Sequence, residues 1–346
     1  MDGRGRCRGV AGRGAGTGLM KAAQPHAGMA ALLAGLAEAR AGQPSRYALP
    51  FPEARAQLLA EREPWLDDGP ACEVSTRHLV VEGRSIAMQL VRPPQCEADR
   101  VLVYLHGGGW CVGSSRTHEA IVRRLADGLR CVAWSIDYAL APERPFPAGL
   151  LDCVTAIEQA AVRHPGARIV VAGDSAGANL ALGAAMWLRH RRAAGVSAAL
   201  PDAMLLFYGV YTDSIAGPSM EAYGDGRYGL SIEAHSRYLH AYLGQGDGGD
   251  APVDRRYLFQ LDPAADLRGL PPAFLLAAQI DILRDQGVEM AAALQAAGNE
   301  VEAVEVPGVI HGFLAYGKVL AEVGESIDRA ARFVRRSDAP PARQGG

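Results

Sequence analysis

The stretch that decides the fold is the apolar run Ala167-Arg168-Ile169-Val170-Val171-Ala172 followed by Gly173-Asp174-Ser175-Ala176-Gly177. The run has the composition of a buried strand, and the residues after Gly177 are typical of a helix. A strand, a tight turn and a helix therefore follow one another, with a serine in the turn. The two glycines allow the turn to close without a Cβ clash, so the Ser175 hydroxyl becomes a candidate nucleophile at the sheet edge.

The pentapeptide alone is weak evidence, and its context decides its meaning. Upstream, the apolar run 101–105 ends in His106-Gly107-Gly108-Gly109-Trp110, whose backbone N–H groups are suited to face a developing oxyanion. Downstream, Asp281 and His311 each follow an apolar run. Each candidate thus lies just beyond a predicted strand, where a doubly wound sheet has its ligand crevice. The chain order Ser, Asp, His is that of the α/β-hydrolases.

With these motifs the chain resembles the hormone-sensitive lipase-like α/β-hydrolases, the bacterial family IV esterases. The segments that carry the resemblance stand in the family's order: His106–Trp110, Asp137–Glu143, Gly173–Asn179, Leu270–Pro272, Asp281–Asp285 and His311–Phe313. The resemblance implies a serine carboxylesterase that hydrolyses short-chain acyl esters through an acyl-enzyme. It also implies that no metal or organic cofactor is needed.

The candidate catalytic residues are Ser175 as nucleophile, His311 as general base and then general acid, and Asp281 as the carboxylate that orients the imidazole. Ser175 could instead cap the following helix, but the surrounding motifs favour the nucleophile. His311 is preferred over the other histidines because it alone follows the last predicted strand. Asp285 is the rival acid, yet its place beside Arg284 suits an ion pair better.

The candidate oxyanion donors begin with the N–H of Ala176, the residue after the nucleophile. The resemblance adds Gly108 and Gly109 from the glycine loop. His106 is expected to hold that loop in place rather than to act in catalysis. Trp110 is a candidate substrate-binding residue, although a packing role explains it about as well.

Composition limits the partners and the compartment. The chain has 346 residues and a formal net charge of −3, which indicates neither a nucleic-acid surface nor an anionic-membrane surface. No apolar stretch is long enough to span a membrane. The six cysteines are scattered without a C-x-x-C pair, so we expect buried thiols in the cytoplasm. No residues have metal-ligand spacing, so we expect no metal.

The chain divides into three parts on its pattern. Residues 1–19 are rich in Gly and Arg and are expected to be disordered. Residues 20–70 contain two helical patterns, near 28–41 and 52–63. Residues 71–346 form the core, which opens with a predicted hairpin and continues from residue 100 as regular strand–helix alternation. That alternation predicts an α/β fold with a mostly parallel, doubly wound sheet.

Residues 211–265 interrupt the alternation, with one helical pattern at 231–243. A long insertion at the catalytic end of a sheet is more often a pocket wall than an idle loop. The resemblance implies that it joins the N-terminal helices in a cap over the active site. The G-x-G-x-x-G matches at 224–229 and 244–249 follow no predicted strand, so they predict glycine-rich loops and not a dinucleotide site.

Two other functions stay open at this point. An amide hydrolase of the arylformamidase type would use the same triad. A non-catalytic small-molecule receptor on a hydrolase fold would typically lack part of the triad, whereas this chain has all three candidates. The expected partner is a small-molecule ester, and whether the chain forms a homodimer is left open.

Overall fold

The computed structural model describes residues 22–81, 83–244 and 254–337. The predicted disorder of 1–19 and most of the glycine-rich stretch 244–249 lie outside these residues. The strands are β1 (Glu73–Val81), β2 (Arg84–Arg92), β3 (Arg100–Leu105), β4 (Val132–Asp137), β5 (Arg168–Asp174), β6 (Ala203–Phe207), β7 (Ala273–Ile280) and β8 (Val301–Ile310). The helices are α1 (Ala27–Ala39), α2 (Phe51–Arg62), α3 (Glu119–Leu129), α4 (Ala148–Arg163), α5 (Ala176–Ala193), α6 (Pro218–Tyr223), α7 (Ile232–Leu243), α8 (Arg284–Ala296) and α9 (Ala321–Ser337).

The described strands form one sheet in the order β1-β2-β4-β3-β5-β6-β7-β8. β1 and β2 make the predicted hairpin, and β2 runs antiparallel to β4. All pairings from β4 to β8 are parallel. The α/β fold class is therefore confirmed, and the predicted strands from residue 100 onward coincide with β3 to β8 to within a few residues at each end.

Burial explains why the sequence pattern identifies the central strands. All six residues of β3 are buried, as are all five of β6, because helices cover both faces of the parallel part of the sheet. α3 packs against α9, and α4 packs against α5. Among the described helices, none is long and apolar enough to cross a membrane.

The N-terminal helices and the insertion 211–265 contact each other. Arg237 in α7 donates hydrogen bonds to the carbonyl oxygens of Tyr47, at 2.6 Å, and Leu49, at 2.5 Å. The backbone N–H of Ala23 donates to the Tyr223 hydroxyl at 2.9 Å. Hydrogen bonds to backbone groups fix these two distant parts of the chain against each other.

Arg55 in α2 ties the N-terminal helices to the core. Its guanidinium donates to the carbonyl oxygens of Cys111, at 2.8 Å, and Ala141, at 2.9 Å. It also pairs with Glu143 at 2.6 Å. One side chain thus joins α2 to the loops that follow β3 and β4.

Helix α6 was not predicted from the sequence, because it spans only six residues and is too short to show a helical period. The loop 224–229 connects α6 to α7 and follows no strand. This first G-x-G-x-x-G match therefore lacks the strand–turn–helix setting of a dinucleotide site, as predicted.

We expect Val103→Ala to lower the free energy of unfolding by about 1.5–3 kcal/mol, because Val103 is completely buried in the central strand β3 and its methyl groups would leave a cavity. Val80→Ala is the matched control, since Val80 in the edge strand β1 is 63% exposed. Its effect should stay within about 0.5 kcal/mol. Urea denaturation of both variants measures the difference, and equal losses would contradict the buried position of β3.

Candidate active site

Ser175 lies in the turn between β5 and α5 with a left-handed backbone, at φ +54° and ψ −120°. A Cβ atom on Gly177 would lie 1.9 Å from the carbonyl oxygen of Leu105, and one on Gly173 would lie 2.3 Å from the carbonyl oxygen of Gly177. Both glycines are therefore required by close backbone approach. The strained turn holds the serine side chain beyond the end of the strand.

The three candidate catalytic side chains form a hydrogen-bonded chain. His311 Nε2 lies 3.0 Å from Ser175 Oγ, and His311 Nδ1 lies 2.6 Å from Asp281 Oδ2. The other oxygen of Asp281 accepts a hydrogen bond from the backbone N–H of Leu283 at 2.9 Å. When Nδ1–H donates to the carboxylate, Nε2 is free to accept the proton of the serine hydroxyl.

The rival acid Asp285 has other partners. It pairs with Arg284 at 3.0 Å and accepts a hydrogen bond from the backbone N–H of Ser219 at 2.8 Å. Asp281, by contrast, is only 2% exposed and directly contacts His311. The geometry therefore favours Asp281 as the carboxylate partner of the imidazole.

The glycine loop places backbone N–H groups beside Ser175. Gly108 and Gly109 have positive φ values of +121° and +58°. A Cβ on Gly108 would lie 2.1 Å from the carbonyl oxygen of Val112, so no larger residue fits there. Gly108, Gly109 and Ala176 line the same cavity as Ser175. Their N–H groups have no acceptor within the part of the chain that the structure describes, which leaves them available to an oxyanion.

Asp174, to which the sequence motif assigns no role, joins the turn at Ser175 to the glycine loop. Its carboxylate accepts hydrogen bonds from the Tyr104 hydroxyl, at 2.7 Å, and the Gly107 N–H, at 2.9 Å, while His118 Nε2 lies 3.5 Å away. Burial opposes the charge, but His118 and these hydrogen bonds outweigh burial and lower the pKa of Asp174 to about 2. The acidic residue at the end of an otherwise apolar run, Ile169 to Gly173, was its only signal in the sequence.

His106 and Asn179 are both buried and lie within hydrogen-bonding distance of backbone groups around the site. His106 is buried, stacks on the Tyr138 ring at 4.3 Å, and lies with Nδ1 2.8 Å from the carbonyl oxygen of Gly107. Burial, helped by His118, lowers the pKa of His106 to about 3, so its imidazole is neutral near pH 7. Asn179 Nδ2 lies within 3.0 Å of acceptors on Val210, Leu258 and Gln260.

The cavity at Ser175 is small, with a volume of about 90 Å³. Trp110 lines it and stacks on Tyr242, with ring centroids 4.7 Å apart and planes 2° apart. Tyr238 from α7 also lines it and packs over Gly109, where an added Cβ would lie 2.5 Å from the ring. Trp110 therefore both packs and borders the cavity.

Further cavity-lining residues belong to the predicted cap segments, in which no individual site residue was predicted from the sequence. They are Arg46, Tyr47, Leu58 and Arg62 from the N-terminal part, and Leu230 and His235 from the insertion. Burial lowers the pKa of His235 to about 4, with the charge of the nearby His311 acting in the same direction. No short motif marks these residues, because they reach the site only through long-range packing.

In the part of the chain that the structure describes, the geometry gives no support for metal ligation. Among residues 22–81, 83–244 and 254–337, no three His, Cys, Asp or Glu side chains are grouped as metal ligands would be. The five cysteines in these ranges are free thiols. Burial raises the pKa of Cys111, which flanks the glycine loop, to about 12, as befits a packing residue.

A doubly wound sheet with serine, histidine and aspartate in contact at the carboxyl ends of its strands defines an α/β-hydrolase. Residues 102–315 match the family model described as alpha/beta hydrolase fold. The acetyl esterase of Salmonella schwarzengrund is 33% identical over 289 residues, which cover 81% of this chain and 85% of that protein. The chain belongs to this family, among the hormone-sensitive lipase-like esterases, and it is an ester-hydrolysing enzyme.

Solved esterase structures have the same fold. An ester-hydrolase from the metagenome of Lake Arreo superposes with a TM-score of 0.79 at 33% identity, covering 91% of this chain and all of that one. A hyperthermophilic esterase from Pyrobaculum calidifontis gives a TM-score of 0.77 at 30% identity, with 88% and 97% covered. These relatives confirm the predicted resemblance and favour neither the amide hydrolase nor the receptor.

Asp174→Asn should reduce stability by of order 2 kcal/mol at pH 7, because the folded-state pKa of about 2 lies below the unfolded value of 3.8. A lowered pKa means that the stabilisation is fully present above the unfolded value and is lost as the pH falls through 4 toward 2. Chemical denaturation from pH 7 down to pH 3 should show the variant and the wild type converging.

Asp328→Asn is the control for this prediction, since Asp328 is exposed on α9. Its stability should differ from the wild type by less than about 0.5 kcal/mol at every pH. A constant gap between Asp174→Asn and the wild type down to pH 3 would contradict a buried ionised carboxylate.

Proposed function

We propose that this protein is a serine carboxylesterase that hydrolyses short-chain acyl esters through an acyl-enzyme. The observation that carries the proposal is the contact of Ser175 Oγ with His311 Nε2 at 3.0 Å, backed by Asp281 at 2.6 Å, in a small cavity bordered by free N–H groups. A serine hydroxyl is a weak nucleophile without a base in contact, and this arrangement supplies one.

In the first half-reaction, Ser175 Oγ attacks the ester carbonyl carbon while His311 Nε2 takes its proton. The carbonyl oxygen becomes an oxyanion that accepts hydrogen bonds from the N–H groups of Gly108, Gly109 and Ala176. The C–O bond to the alcohol then breaks, and His311 gives the proton to the leaving alcohol. Asp281 stays ionised and stabilises the imidazolium throughout.

In the second half-reaction, water replaces the alcohol. His311 removes a proton from the water as its oxygen attacks the acyl carbon, and the oxyanion forms again at the same donors. The bond from the acyl carbon to Ser175 Oγ breaks, His311 returns the proton to the serine, and the carboxylic acid leaves. The enzyme ends unchanged, with one ester and one water converted to acid and alcohol.

We assign residues 20–70 and the insertion 211–265 to a cap on the core 71–346. This assignment is supported because residues of both segments line the cavity at Ser175, and because Arg237 of the insertion donates a hydrogen bond to the N-terminal segment. A location in the cytoplasm is supported by the free thiols, which a reducing compartment preserves. Small esters are the proposed substrates because the cavity is far below the several hundred Å³ of most ligand pockets.

Ser175→Ala should reduce hydrolysis of p-nitrophenyl acetate to near background and abolish labelling by a fluorophosphonate, because both need the serine oxygen. His311→Ala should lose activity to nearly the same extent, and the double variant should lose no more, since the residues act as one unit. Near-normal kcat in Ser175→Ala would refute the proposed mechanism.

The two acids give the matched control for this prediction. Asp281→Asn should lower kcat by about 10⁴, because an amide cannot stabilise the imidazolium and favours the wrong tautomer. Asp285→Asn removes the same charge five residues from the end of β7 and should change mainly stability, through its bonds to Arg284 and Ser219. The reverse ranking would assign the catalytic carboxylate to Asp285.

Acyl length should show an early optimum. Each buried CH₂ adds about 0.8 kcal/mol until the cavity is full, after which crowding reverses the gain. With p-nitrophenyl esters from acetate to palmitate, kcat/KM should peak at roughly two to six acyl carbons. A steady rise toward palmitate, with a rate jump when an emulsion forms, would instead indicate a lipase with an open pocket.

A further inference from the structure

Two arginines border the cavity that holds the catalytic serine. Arg46 and Arg62, the last residue of α2, line it together with Ser175 and His311. Both arginines also line a larger neighbouring cavity of about 530 Å³. His311 and Gly312 belong to both cavities, whereas Ser175 and the glycine loop border only the small one. The two cavities therefore meet at the catalytic histidine.

The arginines outnumber the carboxylates that pair with them. Glu61 alone serves both Arg46, at 2.5 Å, and Arg40, at 2.8 Å. Arg62 has no carboxylate partner within the described residues, and its guanidinium instead lies over the Tyr316 ring, 5.0 Å from the centroid. A cation–π contact leaves the N–H groups at the edge of the guanidinium free to donate.

The acidic side chains in the larger cavity do not cancel this charge. Asp225 pairs with Arg227 at 3.5 Å, so that pair is neutral overall. Glu233 is exposed to solvent, where screening weakens its action on other charges. Arg62 is only half-exposed, and within the described residues no carboxylate pairs with it beside the catalytic centre.

Arg62 also lies close enough to act on the catalytic centre electrostatically. The Tyr208 ring packs against the His311 imidazole, with centroids 5.0 Å apart. Burial raises the pKa of Tyr208, with Asp174 acting in the same direction, while the charge of Arg62 opposes the rise. Arg62 and His311 also line the larger cavity, which Ser175 does not border, so the guanidinium lies on the His311 side of the active site.

That side is where the alcohol part of an ester must lie. His311 gives its proton to the leaving alcohol oxygen, so the alcohol extends from the serine past the imidazole. The acyl group then occupies the small cavity with the glycine loop, Trp110 and Val210. The alcohol part extends toward the larger cavity, whose entrance at His311 is flanked by Arg62.

We propose that the preferred esters carry a carboxylate on their alcohol part, and that Arg62 binds this carboxylate. The inference rests on the proposed esterase function and adds the substrate class. A guanidinium presents paired N–H groups that match the two oxygens of a carboxylate, and partial burial keeps the interaction from being fully screened. Arg46, held by Glu61, adds positive charge to the same wall.

The test compares acetate esters that differ only in the charge of the alcohol part. The substrates are 3- and 4-acetoxybenzoate and the neutral 3- and 4-acetoxybenzamide, with release of the hydroxy product followed by chromatography. Arg62→Met should lower kcat/KM for at least one acetoxybenzoate by about ten- to a hundredfold, mainly through KM. For the matching acetoxybenzamide, kcat/KM should change by less than about threefold.

Two further variants separate charge from packing. Arg62→Lys keeps the charge and should retain much of the preference, although without the paired geometry. Arg77→Met removes an exposed positive charge on the edge strand β1 and should leave kcat/KM for both classes of substrate unchanged. For the wild type, raising the salt concentration should increase KM for the acetoxybenzoate and leave the amide unaffected, which tests the charge even if Arg62→Met does not fold.

The outcomes distinguish the two proposals. If the wild type hydrolyses p-nitrophenyl acetate but none of the acetoxybenzoates and acetoxybenzamides, the proposed substrate class is wrong. If it does not hydrolyse p-nitrophenyl acetate either, the proposed short-chain esterase function fails. The remaining outcomes concern a wild type that hydrolyses both the acetoxybenzoates and the acetoxybenzamides. If Arg62→Met then lowers kcat/KM for both classes equally, or salt raises KM for both classes equally, the proposed carboxylate site is wrong and Arg62 acts through its packing on Tyr316. The carboxylate site is supported if Arg62→Met lowers kcat/KM selectively for the acetoxybenzoate and Arg62→Lys retains part of that activity.

Discussion

The close approach of α5 to the end of β3 is the constraint on which the active site depends. Gly177 packs so tightly against the Leu105 carbonyl that a single methyl group would lie 1.9 Å from its oxygen. This contact brings the turn after β5 beside the glycine loop after β3. Asp174 then links the two, because it accepts hydrogen bonds from Gly107 and Tyr104. The proposed nucleophile and the proposed oxyanion donors thus share one rigid backbone unit.

The sequence predicted this unit because its parts have local signatures. β3 and β5 are buried on both faces, so each appears as a mainly apolar run, and each run is followed by the glycines that tight turns require. Asp281 and His311 could be chosen for a related reason. The carboxyl ends of parallel strands meet at one edge of a sheet, so residues that follow β7 and β8 are brought toward Ser175 even though more than 100 positions separate them.

The walls of the cavity could not be predicted in the same way. Arg62 and Tyr238 come from parts of the chain about 180 residues apart, and their positions depend on contacts such as Arg237 with Tyr47. Such contacts have no period and no fixed spacing in the sequence. Helix α6 was missed because one and a half turns are too few to show a helical pattern. Asp174 was overlooked because its partners, unlike those of Asp281, are recognised only in three dimensions.

The proposed catalytic residues belong to the core, whereas part of the cavity wall comes from segments outside it. This difference affects which residues can determine substrate specificity. The side chains proposed for the chemistry follow β3, β5, β7 and β8, whose positions the sheet fixes to within hydrogen-bonding precision. The cavity-lining side chains from outside the core come from α2, α7 and the loops that precede these two helices. A substitution such as one at Arg62 can therefore change the charge presented to the alcohol part while Ser175, His311 and Asp281 keep their contacts. On the proposed assignment, the catalytic chemistry and the selection of the ester are separable, because different parts of the chain carry them.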